Sequence, residues 1–292
     1  MVVGPVTVLT GIDNGRYPHG NSIFVEGSEG TLLVDPSLTT ITTGGPPAPP
    51  DQVFCSHAHE DHVAGLGRWA DAPVLIHEDD LHGVTSLDGL LDIYGFDEAA
   101  GRAFRQMVEE EFEFTGRPDA TGIADGHVID LGDVKVDVLH LPGHTRGHAG
   151  IHVEASRLVY LADIDLTGFG PYYGDAWSDL EDFERTLERC RDLDAEWFST
   201  FHHKGVVQGR GQFLPLLEAF IAVIERREIE LLAYLGEPRT VDDIVSHRFV
   251  YRPQIEGDHI DSVEHRSMTQ HLVRLERDGQ VHQVEPGHYR AG

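Results

Sequence analysis

The run Ser56-His57-Ala58-His59-Glu60-Asp61-His62 places His57, His59, Asp61 and His62 within six positions, directly after the apolar run Val53-Phe54-Cys55. A chain that leaves a strand and turns sharply at that point can bring these side chains onto one small volume. Imidazole nitrogen and carboxylate oxygen together suit zinc, iron or manganese. The chain has 19 histidines, so a solvated loop that is merely histidine-rich is the alternative. The order His-x-His-x-Asp-His at a strand end weighs for the metal.

Such a cluster needs a scaffold, and the chain offers one. Short β-rich runs at 7–9, 22–26, 31–35 and 52–56 are separated by Gly, Asn and Pro turn signals. Residues 44–50 form a Pro/Gly connector too short to be a domain linker. From 78 to about 114, Leu81, Leu87, Leu90, Leu91, Tyr94, Phe96, Phe104, Met107 and Phe112 recur at largely helical intervals, which predicts a helical insertion. Its role as core helix or as substrate-covering lid stays open. Strands are expected over 127–130, 134–139, 149–153 and 157–162, a helix over 179–191, and a short strand over 197–201 ending at His202-His203. Beyond Gly211 the texture changes to a long amphipathic helix over 213–235, a turn at 237–240, helices over 241–245 and 267–277, and a hairpin over 279–290. That is the outline of a winged-helix module, so the expected division is a catalytic domain over 1–211 and a winged-helix-like domain over 212–292.

The His57 to His62 run resembles the signature of the metallo-β-lactamase superfamily, and further motifs follow in that family's order. Leu141-Pro142-Gly143-His144-Thr145-Arg146-Gly147-His148 resembles its P-G-H-[ST]-x-G-H segment, and Tyr160-Leu161-Ala162-Asp163 its strand ending in an aspartate. Residues 31–36 resemble its early strand ending in a supporting aspartate, here Asp35, and the strand through Phe201 leads to its last histidine. The resemblance covers roughly residues 1–210. It implies an α/β fold, an αββα sandwich, with two divalent ions at one sheet edge: zinc is expected, with iron or manganese as alternatives. It assigns His57, His59 and His144 to one ion, Asp61, His62 and the late histidine to the other, and Asp163 to both. The family usually shows one histidine before a glycine, so His202 and His203 both stay open, with the strand end favouring His202. Asp165 is a weaker alternative to Asp163, and His148 is expected to support the site rather than ligate. His77, His82, His127, His140 and His152 have no partner motif and read as surface or satisfied core.

Two such ions lower the pKa of water to near 7. The resemblance therefore implies a metal-bridging hydroxide acting on a carbonyl or phosphoryl centre, with Asp61 and Asp163 as catalytic carboxylates able to handle protons. A small ester, thioester or lactone is the expected substrate, held against an apolar wall from the insertion and from Phe169-Gly170-Pro171-Tyr172-Tyr173. Leu166 stands where the family's quorum-sensing lactonases carry a tyrosine, which weakens the lactone version. The C-terminus does not resemble the glutathione-binding domain of glyoxalase II enzymes. Two alternatives within the superfamily are an endoribonuclease assisted by the winged helix and a mono-iron dioxygenase.

Fifty acidic against 22 basic residues leave a formal charge of −28, which disfavours nucleic acid as a partner. Residues 212–292 hold nine arginines and 14 acids, less acidic than the rest yet no basic platform. Phe220, Ile224, Leu231, Leu232 and Leu235 give this tail an apolar face to bury against the catalytic domain or in a homo-oligomer. No apolar run reaches the ~18 residues of a membrane helix, and no basic-then-apolar leader is present, so a cytoplasmic protein without membrane attachment is expected. Cys55 and Cys190 are too few for a disulfide framework and lack the spacing of a thiolate zinc site.

Overall fold

A computed structural model describes residues 1–255, 257 and 259–292. The first sheet has seven strands in sequence order: β1 (Val2–Val3), β2 (Val6–Leu9), β3 (Ser22–Glu26), β4 (Thr31–Val34), β5 (Gln52–Cys55), β6 (Val74–His77) and β7 (Thr121–Ile123). It is antiparallel as far as β4 and parallel from there to β7. Crossovers carry α1 (Leu38–Thr42) and α2 (Glu60–Val63), then the insertion helices α3 (Leu81–Thr85), α4 (Leu87–Tyr94) and α5 (Glu98–Glu111). The parallel strands β4 and β5 are apolar on consecutive residues because both of their faces are covered.

The second sheet has six strands. They are β8 (Val128–Asp130), β9 (Lys135–His140), β10 (Ala149–Val153), β11 (Leu158–Tyr160), β12 (Trp197–Ser199) and β13 (Val206–Gln208), with α6 (Leu180–Arg191) in the crossover between β11 and β12. Val6, Val8, Ile23, Val34 and Phe54 of the first sheet pack on Val136, Val138, Ile151, Leu158 and Tyr160 of the second. The outer face of the first sheet is covered by Val63, Leu66, Val84, Leu90, Ile93 and Val108. The outer face of the second is covered by Leu180, Phe183, Leu187 and Cys190 of α6. Helix, sheet, sheet, helix is the layering, and loops from both sheets meet at one rim.

After the sandwich come α7 (Arg210–Tyr234), α8 (Val241–His247), α9 (Ile260–Arg277) and a hairpin of β14 (Val281–Glu285) and β15 (His288–Ala291). Three helices and a hairpin follow one another as the sequence suggests, although α9 starts seven residues before the expected 267. Thr240 and Asp243 close a reciprocal cap on α8. The boundary expected at 211–212 falls in the first turn of α7. Phe213 stacks on Phe198 of β12 at 3.8 Å, and Leu217, Phe220 and Ile224 join the same core as α6. Farther along, Leu231 and Leu235 pack with Ile244, Met268, Leu272 and Val281 in a core belonging to the C-terminal elements. One helix thus roofs the sandwich with its first half and founds the C-terminal module with its second.

Phe213→Ala should therefore cost about 3–5 kcal/mol of stability, read as a lower midpoint in denaturant or thermal unfolding. Ile229→Ala on the same helix, where the side chain is 59% exposed, should stay within about 0.5 kcal/mol of wild type. Equal midpoints for the two variants would show that α7 does not belong to the core of the sandwich.

Candidate metal centre

The centre forms where the chain leaves β5. Ser56 and His57 extend the strand, His59 has extended φ and ψ of −104° and 154°, and the one-turn helix α2 then reverses the chain and lifts Asp61 and His62 onto the same side. His144 comes from the loop between β9 and β10, Asp163 from the turn after β11, and His202 from the loop after β12. The structure brings all seven expected residues together. His57, His59, His144 and Asp163 each offer one donor atom, all within 4.8 Å of one another, and Asp61, His62 and His202 form a second such group. In the first, His59 Nδ1 lies 3.0 Å from His57 Nε2 and 3.1 Å from His144 Nε2, and Asp163 Oδ2 is 3.3 Å from His144 Nε2. In the second, Asp61 Oδ2 is 3.1 Å from His202 Nε2. Asp163 Oδ1 is 3.0 Å from His62 Nε2, so one carboxylate faces both groups.

His62 Nε2 and Asp163 Oδ1 are both buried without an aligned hydrogen-bond partner. Two lone-pair-bearing atoms aimed at a common gap fit a cation better than they fit each other. Charge points the same way. Burial would raise the carboxyl of Asp163, but His62 and His202 outweigh it and hold the group well below its usual range. Burial likewise favours neutral His202, yet Asp163 and Asp61 pull it up to about 9. The buried carboxylates call for positive charge, which a proton or a divalent ion can supply. His57, sunk among His62, His59 and His144, is pushed well down by burial and then by those neighbours, so it stays neutral as a ligand must.

Each imidazole is oriented by what its other nitrogen meets. His57 Nδ1 is 3.0 Å from Ser56 Oγ, His144 Nδ1 is 3.0 Å from the Tyr172 carbonyl, and His202 Nδ1 is 2.7 Å from the Gly15 carbonyl. His62 Nδ1 meets Asp35 Oδ2 at 2.9 Å, and His59 Nε2 lies 3.1 Å from Asp175 Oδ2 in a charge contact without an aligned hydrogen bond. Asp35 also accepts from the Ser56 N–H at 2.6 Å, from Ser56 Oγ at 2.7 Å and from Tyr160 Oη at 2.5 Å. His148 stands outside both donor groups. Its ring bonds the Leu141 carbonyl at 2.8 Å and accepts from the Asp163 N–H at 3.2 Å, while burial and then His144 push it down to about 3.

Three non-glycine residues at the site hold left-handed backbone: Asp35 (φ 49°), Ala162 (φ 47°) and His203 (φ 56°). Each costs about 1–2 kcal/mol, and they sit at or next to residues whose aim they set. His203 is exposed and outside the ligand groups. Asp165 also lies outside them; it accepts from Thr167 N and Oγ1, and burial lifts its carboxyl to about 6.

Sequence reasoning missed several participants. Asp80, at the head of the insertion, accepts from Thr145 Oγ1 at 2.6 Å and from the Gly147 N–H at 2.7 Å, and so pins the loop that carries His144. A Cβ at Gly147 would lie 2.6 Å from the Asp80 nitrogen, which explains that glycine. Glu60, between two ligands in sequence, is buried and takes hydrogen bonds from Tyr17 Oη at 3.0 Å and from Tyr94 Oη. Burial and then Asp61 raise its carboxyl. Tyr94 stacks on His59 with ring centroids 4.7 Å apart. Tyr173, expected in the wall, instead turns away and bonds His271 of α9 at 2.9 Å. His77 and His140, read as lacking partners, stack at 3.8 Å near Asp79. Their parallel rings would leave a shared ion outside both ring planes, away from the nitrogen lone pairs.

The centre opens into a cavity of about 450 Å³ walled by Tyr94, Phe96, Phe104, Met107, Phe169 and Tyr172, with Tyr251 and His259 from the C-terminal module. The insertion packs Leu90, Ile93 and Val108 on the sheet and lines the cavity with Tyr94, Phe96, Phe104 and Met107.

Comparison with known proteins places the chain among relatives. The model of the metallo-beta-lactamase superfamily matches residues 16–203. The acyl-coenzyme A thioesterase MBLAC2 of Gallus gallus is 26% identical over 204 residues, covering 61% of this chain and 69% of that protein. The matches to its bovine and human counterparts span 49% of their length. A hydroxyacylglutathione hydrolase of Ruegeria pomeroyi is 29% identical over 116 residues, 39% of this chain and 33% of that one. Among solved structures, a metallo-beta-lactamase family protein from Thermus thermophilus superposes with a TM-score of 0.74 at 23% identity, covering 99% of both chains.

Two equivalents of zinc per chain are expected after reconstitution, one in His202→Ala and two in His203→Ala, with Asp163→Ala weakened at both positions and its circular dichroism preserved. Metal analysis after gel filtration decides; loss of an equivalent from His203→Ala alone would move the ligand by one residue. Asp175→Asn should weaken zinc about 10- to 100-fold in a competition titration.

Proposed function

Because the chain belongs to the metallo-β-lactamase superfamily, we propose that it is a two-metal hydrolase whose substrates are thioesters, or kindred esters, with an apolar acyl group. The observation that carries this reading is the junction of two unlike surfaces: a buried histidine and carboxylate cluster forms the floor of a cavity whose walls are aromatic. An acyl chain gains about 0.8 kcal/mol for each methylene it buries there, while its carbonyl lies at the polar floor. The names of the relatives, an acyl-coenzyme A thioesterase and a hydroxyacylglutathione hydrolase, point to the same bond.

Divalent ions held by the seven residues would acidify water and polarise the acyl carbonyl oxygen. In hydrolysis the oxygen of water bonds to the acyl carbon, the C–S bond breaks, and the sulfur departs with the electron pair. The Asp61 and Asp163 carboxylates, kept ionised by His62 and His202 against the effect of burial, can accept the proton of water at an Oδ atom and return it to the leaving group. A thiol leaves readily because its pKa is about 8.5, so the site needs no strong acid. Tyr17 and Tyr94 are both held by Glu60, and burial and then that carboxylate raise their hydroxyls, so they act as neutral walls. Asp61, His62 and His202 form a complete second ligand group, which argues against the mono-iron dioxygenase.

Chelation should abolish thioester hydrolysis and added zinc or manganese should restore it, while Asp163→Ala loses roughly 10²–10³-fold or more in kcat. Across straight-chain acyl thioesters, kcat/KM should rise about fourfold per methylene until the cavity is filled. Met107→Trp should shorten the chain length at which that rise stops. A flat profile, unchanged by Met107→Trp, would remove the acyl-pocket reading.

A further inference from the structure

Alongside the catalytic cavity runs a second cleft of about 610 Å³ lined by Arg16, Arg226, Arg227 and Arg252, with His203 and, among the described residues, one acid, Glu230. Phe169 and Tyr251 line both spaces, so the two are neighbours across one wall. In a chain with 22 basic residues against 50 acids, four arginines around one concavity are a local reversal of charge. Arg102, Arg117, Arg191 and Arg274 elsewhere are each held by a carboxylate; Arg16, Arg226 and Arg252 make no ion pair among the described residues. Arg227 is buried and fixed, donating to the Pro171 and Phe169 carbonyls at 2.7 and 2.8 Å with its guanidinium 5.6 Å from the Phe169 ring. Those partners are neutral, so its positive charge is not cancelled.

Guanidinium groups that line one concavity and have no carboxylate partner among the described residues favour an anion with several oxygens, which can take their paired N–H donors. The shared wall says which anion. A substrate whose acyl group fills the aromatic cavity and whose reacting bond lies at the histidine cluster has the arginine cleft on the far side of Phe169 and Tyr251. We propose that this cleft binds the phosphate groups of the substrate's carrier thiol, so that the substrate class is an acyl thioester of a phosphorylated carrier such as coenzyme A; this rests on the thioester reading above. The proposal gives the C-terminal module a task beyond packing. It supplies Arg226, Arg227 and Arg252, and Arg16 comes from the loop before β3.

The test uses the full-length, zinc-loaded protein and two measurements. Adenosine 3′,5′-bisphosphate, which carries phosphates but no thiol or ester, should bind in a calorimetric titration, more weakly as salt rises, with Kd at least tenfold higher in the Arg226→Ala/Arg252→Ala variant. Both arginines are exposed and without ion-pair partners among the described residues, so the variant should unfold at the wild-type midpoint. In kinetics, the kcat/KM ratio of an acyl-coenzyme A to the same acyl group on phosphate-free pantetheine should fall at least tenfold in that variant, through KM. Hydrolysis of acyl-pantetheine without arginine-dependent bisphosphate binding overturns the cleft and leaves the thioester reading standing. Arginine-dependent binding without hydrolysis of either thioester overturns the carrier assignment through failure of the thioester reading itself. A single-stranded RNA that displaces the bisphosphate and is cut would overturn the proposal in favour of a nuclease.

Discussion

The carboxylate of Asp163 stands between two groups of nitrogen donors, 3.3 Å from His144 Nε2 and 3.0 Å from His62 Nε2, and much of the sandwich serves to keep it there. It hangs from the end of β11, which runs parallel to β12 in a register pairing Tyr160 with Ser199. Two adjacent parallel strands ending together deliver Asp163 and His202 to one rim. The turn that aims the carboxylate is left-handed at Ala162, and the Asp163 N–H donates to His148 Nε2. A buried carboxylate so placed is costly unless positive charge faces it, and that constraint shapes the surrounding residue choices.

The expected ligands come from both sheets, so their separation is set by how the sheets pack. Asp35 makes this link explicit. It follows β4 in the first sheet, holds the His62 ring and Ser56, and takes a hydrogen bond from Tyr160 of β11 in the second. Val34, Phe54, Ile151 and Tyr160 fill the space behind it. A shift of one sheet over the other would pull Tyr160 and Asp163 away from Asp35 and His62 together. Geometry at a metal site tolerates errors of only about half an ångström, and the inter-sheet core supplies that precision better than any loop could.

Much of this was legible in the sequence because local chemistry dictated it. The ligand-rich turn after β5 and the glycines around His144 have compact signatures, and alternation or apolar runs marked most strands. What was not legible depended on distance. Asp80, Asp175 and Glu60 are ordinary acids in sequence, and only folding reveals that each holds another part of the site. Short edge strands such as β7 and β13 carry three residues apiece, too few for a period to show. The expected division after Gly211 followed a change in texture, whereas α7 divides its apolar residues between two successive cores and blurs that edge. Tyr173 looked like its neighbour Tyr172, yet the chain turns between them and sends one to His271 and the other to the cavity.

The charge of the chain gave a correct average and a misleading local picture. Nine arginines diluted by 14 acids in the tail promise no anion site, but a folded surface is not a sum. Arg226 and Arg227 on α7 and Arg252 beyond α8 meet Arg16 from the opposite end of the chain. The two scales act differently on different anions. Beyond a screening length of about 8–10 Å an approaching ligand meets the net charge of −28, which repels each phosphate of a long strand that lies outside the cleft. Among the described residues that line it, four arginines face one carboxylate. A compact ligand with a few clustered phosphates can place all of them within the favourable zone, and an extended polyanion cannot. An arginine cleft in a chain of net charge −28 would therefore select for size as well as charge, in keeping with the phosphorylated small molecule proposed above rather than a nucleic-acid backbone.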